Sequence, residues 1–293
     1  MAQPDLTHQY GSMFVDIDID ALLRSGAAGA ALFAIFALIE AILPGGGKSD
    51  SRIKRIALNL SMPLIGAILL ALVPFSTTIA AAIAEREGIG LFQQIRAPAA
   101  IILAVALLVR TLLVYWLHRA AHHWAWLWRI HRVHHSDTAF DLSLALRHHP
   151  LEALIALALY GSMGLVLGLP VWAALAVDTI MLAAAFWEHI DASLPEPVRR
   201  RIGTWLTTPD WHRIHHSADQ PETDSNFGSL VVGWDRLFGT FRNPTADGPD
   251  RIGLGAASDL RAGSWVAQLS SPFDSDRRWR GADGRLHISP PRG

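Results

Sequence analysis

The 293-residue chain contains no cysteine. Structural disulfides, thiolate zinc sites, iron–sulfur clusters and a thiolate-ligated haem are therefore all excluded. Charge is scarce as well. Asp, Glu, Lys and Arg make up 17% of residues against 51% hydrophobic, and the mean hydropathy is +0.26, more apolar than an ordinary soluble domain. With a net charge of -1 there is no basic field to attract nucleic acid, and no nucleic-acid partner is expected. Internal repeats and low-complexity tracts are absent. The opening residues lack a basic region leading into a short apolar core and cleavage site, so no signal peptide is expected. Tyrosines number only three, whereas tryptophans number eleven, and Trp is enriched where helices meet the membrane interface.

What the chain does have is long apolar runs. They read as spans over residues 27–43, 56–79, 98–117, 151–169 and 171–187. Pro44 and the glycines at 45–47 bound the first, and Gly168-Leu169-Pro170 splits the last two. Pro63 and Pro74 are tolerable inside the second, because neighbouring groups in a bilayer helix re-satisfy freed backbone. A full span needs roughly 20 apolar residues, so the last two are short or tilted, or form a re-entrant hairpin. Residues 80–97 read as a short amphipathic connection. The loop holding Lys48, Arg52, Lys54 and Arg55 carries no balancing glutamate and is expected on the cytoplasmic side. Threading onward from it places residues 118–150 and everything after 188 on that same side.

The expected fold is an all-α integral membrane protein of four to five transmembrane helices, or four with a re-entrant hairpin. A cytosolic helical, histidine-rich metal-binding cap completes it. Residues 1–97 would form an N-terminal transmembrane hairpin and connector, 98–242 a catalytic domain, and 243–293 a cytosolic tail in which Trp265 and Phe273 hint at docking.

Histidine carries the chemistry. Three clusters lie just outside the spans: His118-x-x-x-His122, His131-x-x-His134-His135 and His212-x-x-His215-His216. Spacings of three and four residues stack ring nitrogens on one helical face, and the same H-x-x-H-H pattern recurs some eighty residues apart. Neutral imidazole is the commonest nitrogen ligand of iron, zinc, copper and nickel. Eight imidazoles exceed the four that satisfy a structural zinc, and two ions with open positions fit them better than a set of unrelated surface histidines does.

The segments around these histidines resemble the fatty acid hydroxylase/sterol desaturase superfamily. The resemblance rests on Tyr115-Trp116-Leu117-His118-Arg119-Ala120-Ala121-His122, on Leu127 to Ser136 with its Arg129-Ile130-His131-Arg132-Val133-His134-His135 core, on Thr208-Pro209-Asp210-Trp211-His212-Arg213-Ile214-His215-His216-Ser217, and on a closing block of Asn226-Phe227-Gly228 with Trp234 to Thr240. It covers about residues 98–242, with weaker similarity on both sides. It implies two iron ions held by His118, His122, His131, His134, His135, His212, His215 and His216, which activate O2 to oxidise a C–H bond of a lipid. It also implies that His189, at the end of the fifth span, is a further ligand, the alternative being an imidazole that snorkels to the interface. An all-nitrogen di-iron site is read from the resemblance and not from spacing, since soluble di-iron bundles use Glu and Glu-x-x-His and no such carboxylate set occurs here. Without cysteine or a haem module, the electrons must come from a separate donor protein.

Other residues carry open alternatives. His149 is either a ligand or its supporter, or else a polar residue at a helix start. Asp178, inside a span, is functional by default or is paired with a neighbouring helix. Asp210 and Asp235 would orient ligand imidazoles or serve as caps. His8, His123 and His287 read as bystanders. A zinc-dependent membrane hydrolase is the rival from another class. It needs a general-base glutamate beside its ligands, for which Glu188 is the nearest candidate. A metal transporter would place its ligands near the bilayer midplane, away from where these clusters fall, and a purely structural membrane protein has no need of them. Within the family, hydroxylation of a sterol, fatty acyl chain or ether lipid is favoured over desaturation, and a bacterial inner membrane is the expected location.

Overall fold

The computed structural model describes residues 19–45, 52–72, 76–192, 194–244, 249, 251–255 and 262–274. His8, Lys48, Pro74 and His287, named above, lie outside them. The described residues are helical, with three isolated β-bridges and no strand. In chain order the helices are α1 (Ile19–Ile42), α2 (Arg52–Leu72), α3 (Thr77–Glu87), α4 (Leu91–Gln94), α5 (Ala99–His123), α6 (Ala125–His135), α7 (Pro150–Leu167), α8 (Val171–His189), α9 (Glu196–Ile202), α10 (Pro209–His215), α11 (Gln220–Thr223) and α12 (Gly233–Phe238). A last helix, Trp265–Ser270, follows.

Three of these, α5, α7 and α8, are long and apolar enough to cross a membrane, and α1 contributes an apolar stretch, Gly26–Ile42. The protein is a membrane protein on that composition. Prolines set the starts: Pro98 caps α5, Pro150 opens α7, and Pro170 caps α8, places where a missing N–H costs nothing. Gly168 ends α7 in the left-handed conformation (φ 58°). A side chain there would strike Ile89 O and Gly90, and one on Gly90 would lie 2.3 Å from Gly168 N. The two turns pass so closely that both positions require glycine.

The second span ends earlier than its sequence implies. Helix α2 stops at Leu72, and residues 77–79 already belong to α3, whose start is capped by the Ser76 hydroxyl accepting from Ile79 N. Nor is the 80–97 region a mere amphipathic connection. Ala80, Ala81 and Ala84 of α3 are fully buried, and Gly164 of α7 lies against Thr77 and Ala80. Ala81 joins Ile102, Met163 and Val177 in one apolar core that links α3, α5, α7 and α8. An alanine face lets backbones approach closely, as small residues do between membrane helices.

A second packing centre ties the cap to α1. Phe186 of α8 meets Phe33 and Phe36, and Glu40 accepts from Leu142 N and Asp191 N at 2.8 and 2.9 Å. Beneath α6 runs a buried polar network. Arg55 pairs with Asp137 at 2.9 Å and with Asp141, Asn59 donates to Asp137, and Arg147 donates to Asn59, Val133 O and Ala262 O. Arg55 is thus a buried, paired charge. The tail docks differently from expectation: Phe273 is 82% exposed, and the buried contacts come from Ala267, Gln268 and Ser271, the last accepting from Arg132 Nε at 2.9 Å.

Candidate metal centre

Four helices deliver the histidines. Helix α5 runs on past its apolar section, so His118 and His122 stand one turn apart at its end. Trp124 then adopts an extended conformation (φ -100°, ψ 122°), and the chain re-enters helix as α6, which brings His131, His134 and His135 back toward α5. His189 ends α8. Pro209 opens α10, which carries His212 and His215, with His216 as its C-cap.

All nine histidines expected as ligands converge, and they sort into two groups whose candidate ligand atoms lie within 4.8 Å of one another. His118, His122, His131, His135 and His215 form the first, and His134, His189, His212 and His216 the second. The H-x-x-H-H pattern is divided crosswise. In α6 the i and i+4 histidines enter the first group and the i+3 histidine the second; in α10 the i and i+4 histidines enter the second and the i+3 the first.

Outer hydrogen bonds fix which way the nitrogens face. His118 Nδ1 donates to Phe227 O (3.0 Å), His134 Nδ1 to Arg147 O (3.2 Å), His189 Nδ1 to Ala185 O (2.7 Å) and His215 Nδ1 to Ser225 O (2.8 Å). His122 Nδ1 donates to Asp224 (3.3 Å) and His131 Nδ1 to Glu152 (2.8 Å). A carbonyl oxygen only accepts, so each of these Nδ1 atoms carries the proton and each Nε2 presents a bare lone pair. Yet the Nε2 atoms point at one another. His134 and His189 approach to 3.2 Å, His189 and His212 to 3.0 Å, His122 and His135 to 3.1 Å, and His131 and His135 to 3.2 Å. His118 Nε2 and His215 Nε2 are buried without any partner. Between His134 and His189 no proton is available to make a hydrogen bond. A cation between them resolves the conflict, because metal–nitrogen bonds of about 2.0–2.1 Å set neighbouring ligand nitrogens about 3.0–3.4 Å apart. The residues fit a metal in both groups.

Electrostatics agree. Burial first, and neighbouring imidazoles second, hold His134, His135, His212 and His216 well below the usual histidine range, and His215 is pushed down to about 3, chiefly by burial. Neutral imidazole is the metal-binding form. His148 goes the other way: burial lowers it, but the Glu152 carboxylate outweighs that and raises it overall.

Glu152 is the residue that spacing did not reveal. It bonds His131, lies 3.3 Å from His148, and belongs to a third grouping with both. His148 in turn stacks on His134 with centroids 4.4 Å apart. Its signal was the segment Arg147 to Glu152, which placed a carboxylate two residues beyond the His149-Pro150 pair. His149 itself is in neither group: its Nδ1 accepts from Leu151 N, capping α7, and its Nε2 faces Leu269 O. Asp235 touches no imidazole but accepts from Phe227 N, Gly228 N and the Thr240 hydroxyl, fixing the loop whose Phe227 carbonyl holds His118. Asp210 lies beside Arg199 at 3.9 Å. His123 is exposed. Glu188 is buried and accepts from Leu230 N (2.6 Å) and Ser229 Oγ (3.1 Å).

A cavity of about 590 Å³ opens beneath the histidines, within the size range of small-molecule sites. His118, His131, His134, His189 and His212 line its upper end, and Val114, Ala156, Leu157 and Met181 line its walls between α5, α7 and α8. Two nitrogen-rich clusters above an apolar cavity, framed by membrane-length helices, mark a histidine-rich membrane protein with two candidate metal sites. Residues 103–240 match the fatty acid hydroxylase family, and this region of the chain belongs to the fatty acid hydroxylase/sterol desaturase superfamily. The chain is 30% identical over 181 residues to an ornithine lipid hydroxylase of Rhizobium tropici, covering 62% of this chain and 53% of that one. It is 32% identical over 130 residues to the human alkylglycerol monooxygenase, covering 43% and 27%. A putative methylsterol monooxygenase of Dictyostelium discoideum is 30% identical over 145 residues, covering 47% and 49%. The chain therefore spans about half or less of the length of these relatives. No solved structure matches it.

Proposed function

We propose that this protein is an O2-dependent di-iron lipid hydroxylase whose iron ligands are His118, His122, His131, His135 and His215 at one ion and His134, His189, His212 and His216 at the other. The observation that carries the reading is the pair of inward-facing Nε2 sets at the head of an apolar cavity, with His134 and His189 meeting at 3.2 Å although both Nδ1 atoms hold the ring proton. The two irons would supply reductive activation of O2: one oxygen atom enters a C–H bond, the other leaves as water, and two electrons and two protons are consumed. The chain's own residues do the rest. Nδ1 contacts from Phe227, Arg147, Ala185 and Ser225 carbonyls and from Glu152 and Asp224 hold six of the nine rings in orientation. Val114, Ala156, Leu157 and Met181 present an apolar surface to a lipid chain entering from the bilayer, and exclude water from it. A separate electron-donor protein completes the cycle. The three relatives are named as hydroxylases or monooxygenases of lipids, which supports hydroxylation over desaturation. We place the histidines on the cytoplasmic face of a bacterial inner membrane.

The hydrolase alternative needs a carboxylate free to activate water. Glu188 is committed to Leu230 N and Ser229, and Glu152 to two imidazoles, so neither is free. The test is to supply 18O2 to membranes containing the protein, a reductant and total bacterial lipid extract. Incorporation of one 18O atom into a lipid, absent in His134→Ala/His216→Ala, is the expected result. A lipid product whose new oxygen comes from water would overturn the reading.

A further inference from the structure

The cavity has a second polar end. Arg110 of α5, Tyr160 of α7 and Asp178 of α8 line its wall together with Thr77. Arg110 Nη1 lies 3.3 Å from Asp178 Oδ1 and 3.3 Å from Thr77 Oγ1, and its guanidinium carbon sits 3.3 Å above the Tyr160 ring. Arg110 is 9% exposed, and its Nε, buried, has no hydrogen-bond partner. Arg110 stands eight residues before His118 on α5, and Tyr160 eight after Glu152 on α7. At 1.5 Å per residue both lie about 12 Å below the metal centre.

An ion pair in the middle of membrane-length helices is costly and marks function by default. Holding α5 to α8 does not account for it fully, since a structural pair would leave no buried donor unmatched. We propose that this cluster is a recognition site for an uncharged hydrogen-bonding group of the substrate, a hydroxyl or secondary amide, carried about 12 Å from the carbon that is oxidised. An N–H of the Arg110 guanidinium, which lines the cavity, donates to the group's oxygen, and the Asp178 carboxylate accepts its O–H or N–H. Because Arg110 and Asp178 already balance, an anionic head would leave a net charge within the spans, and a free carboxylate or phosphate is disfavoured. The site would act as a ruler, so the position oxidised is counted from the polar group and not from the methyl end. This inference rests on the lipid-oxygenase reading only in taking the cavity as the substrate's.

The test uses the full-length, iron-loaded protein in detergent, with parinaryl alcohol as the fluorescent probe and octadecan-1-ol, stearate and octadecane as competitors. Octadecan-1-ol should displace the probe at about tenfold or more lower concentration than octadecane, the worth of a hydrogen bond to a charged group, and stearate should do no better than the alcohol. In Arg110→Met/Asp178→Leu, which leaves an apolar floor, the preference should fall to within about threefold. Asp178→Asn keeps the shape and the contact with Arg110 and loses only the charge. It should lower the preference about threefold or more even if the double variant does not fold. Equal displacement by alcohol and alkane in the wild type, or a preference unchanged in Asp178→Asn, would overturn the inference. Iron content of the same samples separates the two readings. Alcohol preference without bound iron leaves the polar site standing and removes the oxygenase; two irons without the preference does the reverse.

Discussion

The two H-x-x-H-H helices use one pattern and build unequal histidine groups. Helix α6 gives two imidazoles to the first group and one to the second, and α10 gives the converse. The difference comes from what each group borrows. The first takes His118 and His122 from the end of α5, and the second takes only His189 from α8, so one has five nitrogens and the other four. Their outer partners differ too. Side-chain carboxylates reach the first group, through His131–Glu152 and His122–Asp224; in the second, the Nδ1 partners seen are backbone carbonyls, through His134 and His189. A carboxylate partner raises the basicity of the imidazole it holds. The first group should bind its ion more tightly and tolerate the loss of a ligand, and the second should do neither.

The largest expected effect breaks that contrast directly. His189→Ala leaves three nitrogens in the second group and should lower iron from about two to about one per chain and abolish product, whereas His122→Ala leaves four in the first and should retain both ions. Elemental analysis of the two purified variants checks it. Glu152→Gln comes next: it keeps the shape, removes the carboxylate charge, and should weaken metal binding at the first group by about 10–100-fold, as outer partners typically do, measured by competition with a chelator. Asp224→Asn should act in the same direction with an effect of about threefold or less, because its contact is 3.3 Å long and its side chain is 40% exposed. The gentlest perturbation is acid. His134, His135, His212, His215 and His216 stay neutral in the fold at pH values where the unfolded chain takes up protons. The stability they contribute is complete above about pH 6.5 and is lost as pH falls toward the folded value, about 3 for His215. Melting temperature of metal-free protein should fall between pH 7 and 5, and bound metal should raise it at each pH.

Much of this was legible in the sequence, for physical reasons. Histidines four apart on a helix must share a face, so His131 with His135 and His212 with His216 follow from spacing alone. Where the i+3 residue goes depends on how α6 and α10 face each other across the centre, which no local pattern encodes. Glu152 escaped notice because its partner His131 lies 21 residues away across a loop. The α3 face escaped because Ala80, Ala81 and Ala84 carry too little hydrophobicity to register as a stripe, although alanine against Gly164 is what close helix contact needs. Arg55 looked like a topological charge because sequence shows sign and not burial. Asp137 and Asp141, its partners, come 82 and 86 residues later.

If the proposed function holds, the two separate nitrogen sets each hold one iron. Anaerobic reconstitution of detergent-purified protein with iron-57, followed by iron stoichiometry and Mössbauer spectroscopy, tests it most directly. About two irons per chain with the signature of an exchange-coupled pair is the expected result. One iron per chain in the wild type, or zinc at high occupancy with no uptake of iron, would contradict it.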